Sequence, residues 1–144
     1  MDRNEMKVIF GSSSENESFA RIVIAAFVSR LDPTLEELAD IKTAVSEAVT
    51  NSIIHGYPDD SGEIEMRSWI RDSEVFVEIV DFGVGIKDVE KAMEPMYTTR
   101  PELDRSGMGF AFMEAFMDTL EVESSTGKGT RVKMTKHIQG ECEE

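Results

Sequence analysis

The sequence predicts an α+β domain, a two-layer α/β sandwich in which a mostly antiparallel sheet carries helices on one face. Three features predict this fold class. Two amphipathic helical patterns come early in the chain, two segments of alternating apolar and polar residues follow them as a hairpin, and a further helix precedes two more strands. This order of elements favours one sheet covered by helices.

The first part of the chain is predicted to form a strand and two helices. Residues 6–10 are expected to form a short first strand, and residues 14–17 have the pattern of a capping box that begins the first helix. Apolar residues at helical spacing continue this helix to Leu31. Residues 34–37 form a second capping-box pattern, and the second helix is predicted to end at about His55, before a Gly-Tyr-Pro stop.

The remainder of the chain is predicted to form two hairpins around a long polar segment. Residues 63–71 and 74–80 both alternate and flank a two-residue turn, and residues 87–94 suit a short helix. Residues 95–109 are rich in Pro, Gly, Thr and charge, and a loop of this length is a candidate lid. One helix and two strands joined by a glycine turn complete the chain, over residues 110–120, 120–124 and 130–137.

Length and composition limit the classes of function. The 144 residues suit one domain over the whole chain, and we expect the acidic tail, about residues 138–144, to be flexible. The formal charge of -14 opposes binding to nucleic acid or to an anionic membrane, because both attract clustered Lys and Arg. A protein or a small molecule is the expected partner.

Cysteine and hydropathy point to a cytoplasmic protein. Cys142 is the only cysteine, so an intramolecular disulfide is excluded, and with two histidines a Cys/His zinc site is excluded as well. The N-terminal residues lack the apolar run of a secretory signal, and no stretch of about 18 apolar residues occurs.

Glu47 and Asn51 are the first candidate site residues. They lie four residues apart in the second predicted helix, so both side chains reach the same side of it. An asparagine oxygen can ligate Mg²⁺, and a glutamate can act as a general base beside it. Taken alone, the pair is more commonly an ordinary Glu and Asn on a solvated helix face.

Asp81, Gly83 and Gly85 follow the end of a predicted strand. The glycines either form an ordinary turn or let the backbone approach a ligand, while the carboxylate accepts a hydrogen bond from an exocyclic amino group. The third glycine of a dinucleotide fingerprint is absent here.

Gly107 and Gly109 precede the helix that follows the lid. Backbone N–H groups at a helix N-terminus can cradle phosphate, and Thr99, Arg100 and Arg105 add donors suited to phosphate oxygens. A helix-initiating loop with ordinary charges remains the alternative. No Walker A sequence occurs, so the chain is not a P-loop protein.

In this order and spacing the three motifs, with a strand that begins Gly-Thr, resemble the GHKL ATPase family of gyrases, Hsp90 chaperones, histidine kinases and mismatch-repair proteins. The short chain and residues 16–21, 46–51, 55–57 and 98–110 are similar to the bacterial anti-sigma serine kinases, those of sporulation in particular. The similarity extends to about His137.

This resemblance implies ATP and Mg²⁺ as cofactors and phosphoryl transfer to serine. It implies that Glu47 is the general base, that Asn51 is the Mg²⁺ ligand and that Asp81 holds the adenine amino group, with Thr130 near adenine through water. The cofactor-binding residues that it implies are Asn51, Asp81, Gly83, Gly85, Thr99, Arg105, Gly107, Met108, Gly109 and Thr130.

The same resemblance implies protein partners. These are a sporulation sigma factor of the sigma F type, a STAS-domain anti-anti-sigma protein that receives the phosphoryl group, and a second copy of the chain. Neither nucleic acid nor a membrane is an expected partner. Arg21, on an otherwise apolar first helix, is the candidate partner contact, although a snorkelling surface arginine explains it equally well.

Two residues depart from the pattern of the subgroup. Phe82 is apolar where relatives often carry a polar residue, and Arg100 stands where lysine is frequent. Three other functions stay open: a stress-response type of anti-sigma kinase, a nucleotide-gated binding module without turnover, and a structural interaction protein that binds no ATP. Retention of both Glu47 and Asn51 favours a kinase, because a binding module needs no base.

Overall fold

Five strands and four α-helices form the part of the chain that the computed structural model describes, residues 4–58, 61–93 and 109–140. The strands are β1 (Asn4–Gly11), β2 (Glu63–Arg71), β3 (Glu74–Asp81), β4 (Thr119–Ser125) and β5 (Gly129–His137). The helices are α1 (Asn16–Val28), α2 (Leu35–Asn51), α3 (Val89–Ala92) and α4 (Gly109–Phe116). A 3₁₀ turn (Ser29–Leu31) follows α1, and a π-helical turn (Ser52–Gly56) continues α2.

The five strands form one sheet in the order β1-β2-β3-β5-β4, and each neighbouring pair is antiparallel. After β3 the chain leaves the sheet, passes through α3 and α4, and returns as the edge strand β4. The last strand, β5, then lies between β3 and β4, so that Asp81 at the end of β3 is paired with Thr130 near the start of β5. The predicted α+β class and antiparallel sheet are confirmed.

The core lies between one face of the sheet and the helices. Alternate residues of the central strands, among them Ile64, Met66, Val77 and Ile79, are fully buried there. The apolar stripe of α2 is buried against them and between α1 and α4: Ile41, Ala44, Val45, Ala48 and Val49. Burying an aliphatic side chain of this size stabilises the fold by about 1.5–3 kcal/mol, so the stripe fixes how α2 is rotated about its own axis.

The opposite face of the sheet carries a stacked aromatic pair and an ion pair between a buried carboxylate and a partly exposed arginine. The rings of Trp69 and Phe76 are parallel within 7°, with centroids 5.2 Å apart. Glu78 is almost fully buried and accepts a hydrogen bond from Nε of Arg131 at 3.1 Å. The helices therefore cover one face, as the sequence predicts, while side chains of the sheet itself cover part of the other.

The capping box predicted at the start of α1 does not form. Residue 15 occupies the N-cap position and makes no side-chain capping bond. The Glu17 carboxylate instead accepts a hydrogen bond from the Ser46 hydroxyl of α2 and pairs with Nε of Arg21 at 3.0 Å. Contacts between packed helices have replaced a local cap here. The second predicted box, between Thr34 and Glu37, does form, with both bonds at 3.0 Å.

The last helix is shorter than predicted. The pattern predicts a helix over residues 110–120, but α4 ends at Phe116 and Leu120 already belongs to β4. The Nζ atom of Lys136 donates to the Phe116 carbonyl oxygen at 2.7 Å, which satisfies one of the free acceptors at the helix end. Of the predicted lid, only Gly109 is described.

The segment after β5 is held against the start of α2. Ile138 is buried in the core, and its N–H donates to the Ser73 carbonyl oxygen at 2.8 Å. The N–H groups of Gln139 and Gly140 donate to the Glu37 carboxylate at 2.8 and 3.2 Å. The prediction of a flexible tail from about residue 138 is therefore wrong for residues 138–140, because burial of Ile138 and these hydrogen bonds fix them.

None of the helices in the described ranges is long and apolar enough to cross a membrane.

We expect Glu37→Gln to lower the free energy of unfolding by about 1–3 kcal/mol at pH 7, because a charged acceptor shared by three backbone N–H groups becomes a neutral amide. Desolvation raises the pKa of Glu37, but hydrogen bonds from Thr34, Gln139 and Gly140 outweigh it, and the pKa lies below the ordinary value of 4.5.

Because the pKa is lowered in the folded state, the contribution of Glu37 is complete above about pH 4.5 and is lost as the pH falls through the folded pKa. Urea unfolding of parent and variant at pH 7 and near pH 3 should show a difference that shrinks on acidification. Glu36→Gln, in the same helical turn but exposed, is the control. An equal effect of the two substitutions would contradict the assignment.

Candidate functional site

The C-terminal end of α2 brings together the first pair of predicted site residues. Glu47 and Asn51 lie one turn apart and are half-buried, whereas Ala48 and Val49 between them are buried in the core. The α-helix ends at Asn51, and the next turn is a π-helix, a wider form that is common at functional sites. This turn carries Ser52 towards the end of β3.

The Asp81 carboxylate is the buried charge of the site, with only 2% of the residue exposed. Its Oδ2 accepts from the Ser52 hydroxyl at 2.8 Å, and its Oδ1 accepts from the Gly83 N–H at 3.0 Å. Burial raises the pKa of Asp81 above its ordinary value of 3.8, while hydrogen bonds from Gly83, Ser52 and the Thr130 N–H offset part of that rise. The carboxylate thus joins three segments of the fold: the π-helical turn, the end of β3 with the turn after it, and β5.

Glycine at position 83 allows the turn after β3 to contact the π-helical turn. A Cβ atom at Gly83 would lie 1.9 Å from the carbonyl oxygen of Gly56, and that oxygen accepts from the Val84 N–H at 2.9 Å. Gly56 in turn borders the Asp81 carboxylate, which a Cβ atom there would approach to 3.0 Å. Glycine at position 83 therefore serves packing between two turns of the chain itself, and the approach of this backbone to a ligand stays a prediction.

Gly85 is required both by its backbone conformation and by a close contact with neighbouring backbone. Its φ of +80° lies in the left-handed region, and a Cβ atom would lie 2.0 Å from the Ser125 carbonyl oxygen. The turn after β3 therefore packs directly on the hairpin between β4 and β5. The Gly127 N–H completes this contact by donating to the Val84 carbonyl oxygen at 2.7 Å.

The Tyr57 hydroxyl ties the same turn to the start of β2. It accepts from the Phe82 N–H at 2.8 Å and donates to the Glu63 carbonyl oxygen at 2.7 Å. Burial raises the pKa of the Tyr57 phenol, and the nearby carboxylates of Asp81 and Glu63 raise it further. The phenol therefore stays protonated and available as a donor.

The Ser124 hydroxyl supports Thr130, the predicted residue on β5. Ser124 Oγ accepts from the Ile86 N–H at 2.7 Å and donates to the Gly129 carbonyl oxygen at 2.8 Å. The two hydroxyl oxygens of Ser124 and Thr130 lie 2.8 Å apart. Thr130 is thereby held beside Asp81, its partner in the β3–β5 register.

Asn51 meets the start of α4. A Cβ atom at Gly109 would lie 3.0 Å from Nδ2 and 3.2 Å from Oδ1 of Asn51, so glycine lets the two helices approach at this point. The predicted Mg²⁺ ligand is thus next to the end of the predicted phosphate cradle. The other predicted cradle and lid residues lie outside the described residues: Thr99, Arg105, Gly107 and Met108.

Two further predicted features lie on outer surfaces. The Arg21 side chain is 42% exposed, and its guanidinium contacts Glu17 and Ser18 Oγ on α1. Phe82 is 59% exposed and borders a cleft of about 340 Å³, together with Val80 and Arg131. These last side chains alternate with Asp81 and Thr130 and so belong to the sheet face away from the helices.

Sequence reasoning missed three residues that hold the site together, Ser52, Tyr57 and Ser124. Ser52 alone carries a usable signal, because it directly follows Asn51 at the end of the helix. The metal ligand that the sequence predicts is Asn51, and Mg²⁺ commonly takes one or two protein oxygens together with substrate phosphates. In residues 4–58, 61–93 and 109–140, no three His, Cys, Asp or Glu side chains form a group that could hold a metal ion.

Comparison with known proteins gives consistent results at the level of sequence. The histidine kinase-like ATPase domain family matches residues 11–136. The chain is 61% identical over 135 residues to the anti-sigma F factor of Caldanaerobacter subterraneus subsp. tengcongensis, with 94% of each chain covered. It is 57% identical over 136 residues to the anti-sigma F factor of Clostridium acetobutylicum, with 94% of this chain and 95% of the relative covered.

Two solved structures share the fold. The RsbU and RsbW domains of a Mycobacterium tuberculosis protein superpose with a TM-score of 0.67 at 18% identity, over 93% of this chain and 32% of that longer chain. The histidine kinase domain of a blue-light activated histidine kinase from Erythrobacter litoralis gives a TM-score of 0.54 at 18% identity, over 85% of this chain and 60% of that one. At this identity the two structures establish the fold alone.

Proposed function

The chain belongs to the anti-sigma F factors, within the histidine kinase-like ATPase domain family, and from this premise we propose that it is a serine-protein kinase that holds a sporulation sigma factor and phosphorylates the STAS-domain antagonist of that factor. ATP is the phosphoryl donor, with Mg²⁺ bound beside its phosphates. The protein acts in the cytoplasm.

One observation carries this proposal: the end of α2 contacts both other parts of the site. Asn51 lies against Gly109 at the start of α4, and the next residue, Ser52, donates to Asp81 at the end of β3. Glu47 is one turn before Asn51 on the same helix. The residues that we propose as general base and Mg²⁺ ligand therefore lie on α2, and the carboxylate that we propose for adenine is in contact with the end of this helix.

The roles of the chain's own residues follow from their chemistry. The Asp81 carboxylate accepts a hydrogen bond from the adenine amino group, and Thr130 lies beside it in the sheet. The Asn51 amide oxygen would hold Mg²⁺, and the charge of the ion would offset that of the phosphates. We assign the phosphate contacts to the backbone N–H group of Gly109 and to Thr99, Arg105, Gly107 and Met108, the last four of which lie outside the described residues.

Glu47 accepts the proton of the substrate serine as its hydroxyl oxygen attacks the γ-phosphorus. The bond between that phosphorus and the β,γ-bridging oxygen breaks, and ADP leaves. Positioning and charge neutralisation supply most of the rate in such transfers, and a well-placed base adds about 10²–10⁴-fold. A nucleotide-gated binding module would need the other residues but not this base.

The outer side of α1 and the edge strand β1 supply a surface for protein partners. On α1, Ile22 is 68% exposed and Phe19 is 44% exposed, and the ring of Phe19 packs edge-on against Phe10 of β1. A surface that combines apolar side chains with a partly exposed arginine, Arg21, suits protein docking. We assign the contacts with the sigma factor, the antagonist and a second copy of the chain to this region.

Glu47→Gln should keep ATP affinity within about twofold and reduce phosphoryl transfer at least 100-fold, because the amide cannot accept the serine proton. The assay incubates the protein with Mg²⁺, γ-labelled ATP and a STAS-domain antagonist and measures label on serine. Glu114→Gln, an exposed carboxylate on α4, is the control and should transfer at the parent rate. Equal rates for Glu47→Gln and the parent would rule out the base, and no transfer by the parent would rule out the kinase.

Asp81→Asn should weaken ATP binding at least tenfold, because the NH₂ group of the Asn side chain is a donor and would face the adenine amino group, which is also a donor. The circular dichroism spectrum should stay that of the parent. The exposed Asp72→Asn in the β2–β3 turn is the control. Since burial raises the pKa of Asp81, the parent should lose affinity as the pH falls through that pKa, whereas the variant should not. The ionisation of the ATP phosphates also changes with pH, but it does so equally for parent and variant, so a comparison of the two titrations removes its effect. Unchanged affinity in Asp81→Asn would refute the adenine assignment.

Arg21→Glu should reduce capture of the sigma factor about tenfold or more and leave ATP binding unchanged, because reversal of an interface charge places like charges together. Arg30→Glu, beyond the end of α1, is the matched charge reversal. Sigma capture is measured on immobilised protein in the presence of ADP or ATP. If both variants capture as well as the parent, Arg21 is only a surface arginine.

A further inference from the structure

The Ser124 hydroxyl makes three contacts although it has one proton. It accepts from the Ile86 N–H at 2.7 Å, and its oxygen lies 2.8 Å from the Gly129 carbonyl oxygen and 2.8 Å from Thr130 Oγ1. The carbonyl oxygen cannot donate, so its contact with Ser124 uses the Ser124 proton. The contact between the two hydroxyls must then use the proton of Thr130.

This assignment leaves Thr130 without a donor for a ligand. Its hydroxyl proton points to Ser124, and only oxygen lone pairs remain to face the helix side of the sheet. Asp81, paired with Thr130 across β3 and β5, also presents lone pairs when it is ionised. Its two oxygens already accept from the Ser52 hydroxyl, the Gly83 N–H and the Thr130 N–H, which fixes the carboxylate plane and leaves one of about four acceptor positions free.

We propose that Ser124 is a positioning residue that fixes Thr130 as a hydrogen-bond acceptor and so makes the site select a base with an exocyclic amino group over a base with a carbonyl group at the same position. The inference rests on the proposed nucleotide site. Two neighbouring acceptors favour the amino group of adenine, whether the contact of Thr130 is direct or through a water molecule, and they repel the carbonyl oxygen of hypoxanthine.

The test compares the affinities of ATP and inosine triphosphate, which differ at this group and at the adjacent N1, an acceptor in adenine and an N–H donor in hypoxanthine, so the readout is the change of their ratio between parent and variant. We expect the parent to prefer ATP. In Ser124→Ala the Thr130 proton is released and can turn towards a carbonyl oxygen, so the ratio of the two affinities should fall roughly tenfold. The ratio is informative even if loss of the Ile86 contact loosens the turn, because a loosened turn weakens both nucleotides alike.

Two further variants separate positioning from a structural role. Ser125→Ala changes the next residue, whose side chain belongs to the opposite face of the sheet, and should keep the parent ratio. Thr130→Val removes the hydroxyl that Ser124 is proposed to orient. Adding Ser124→Ala to Thr130→Val should not change the ratio further, since the two residues then have no interaction left to lose.

An unchanged ratio in Ser124→Ala, with ATP binding intact, overturns the inference and leaves the nucleotide site standing. A further fall in the double variant also overturns it, because Ser124 would then act without Thr130. If the parent protein binds ATP and inosine triphosphate with equal affinity, the site has no such selectivity, and the inference is overturned as well. If the parent binds neither nucleotide, the proposed function fails together with the inference.

Discussion

Burial of the Asp81 carboxylate is the constraint on which the arrangement of the site depends. A charge with 2% of its residue exposed is unfavourable unless hydrogen bonds replace the lost water. Ser52, Gly83 and Thr130 supply these bonds, and they come from the π-helical turn, the turn after β3 and the strand β5. Three segments far apart in sequence must therefore meet at one carboxylate, and glycine is needed where their backbones touch.

Packing along the whole of helix α2 fixes the position of the site residues that this helix carries. Its 17 residues span about 25 Å, from the capping box and the C-terminal segment at one end to Asn51 at the other. The buried stripe sets its rotation, and Glu37 fixes its start to Gln139 and Gly140. The positions of Glu47 and Asn51 are thus determined by packing along the whole helix and not only by their immediate neighbours.

Periodicity in the sequence was sufficient to predict the strands and the main helices, because each depends on neighbours in the chain, whereas the motif residues were found by their spacing and by the resemblance to a family. It failed where tertiary contacts compete with local ones. Glu17 has the spacing of a capping residue but binds Ser46 and Arg21, and Ile138 follows the last strand with no local signal for its burial. Ser124 was missed for the same reason, since its partners are set by the pairing of β4 with β5 and by the turn after β3.

The direction of side chains at the end of α2 explains why one helix serves both ends of the site. Adjacent helical residues point about 100° apart, so Asn51 and Ser52 must face different elements, Gly109 on α4 and Asp81 on β3. The four-residue spacing of Glu47 and Asn51 identifies only the side of the helix that carries Asn51, and it gives no signal for Ser52 on the other side. At the other side of the same helix, Ser46 next to Glu47 donates to Glu17, which also holds Arg21. The proposed partner surface and the proposed catalytic base are therefore joined by one short chain of contacts through α1 and α2.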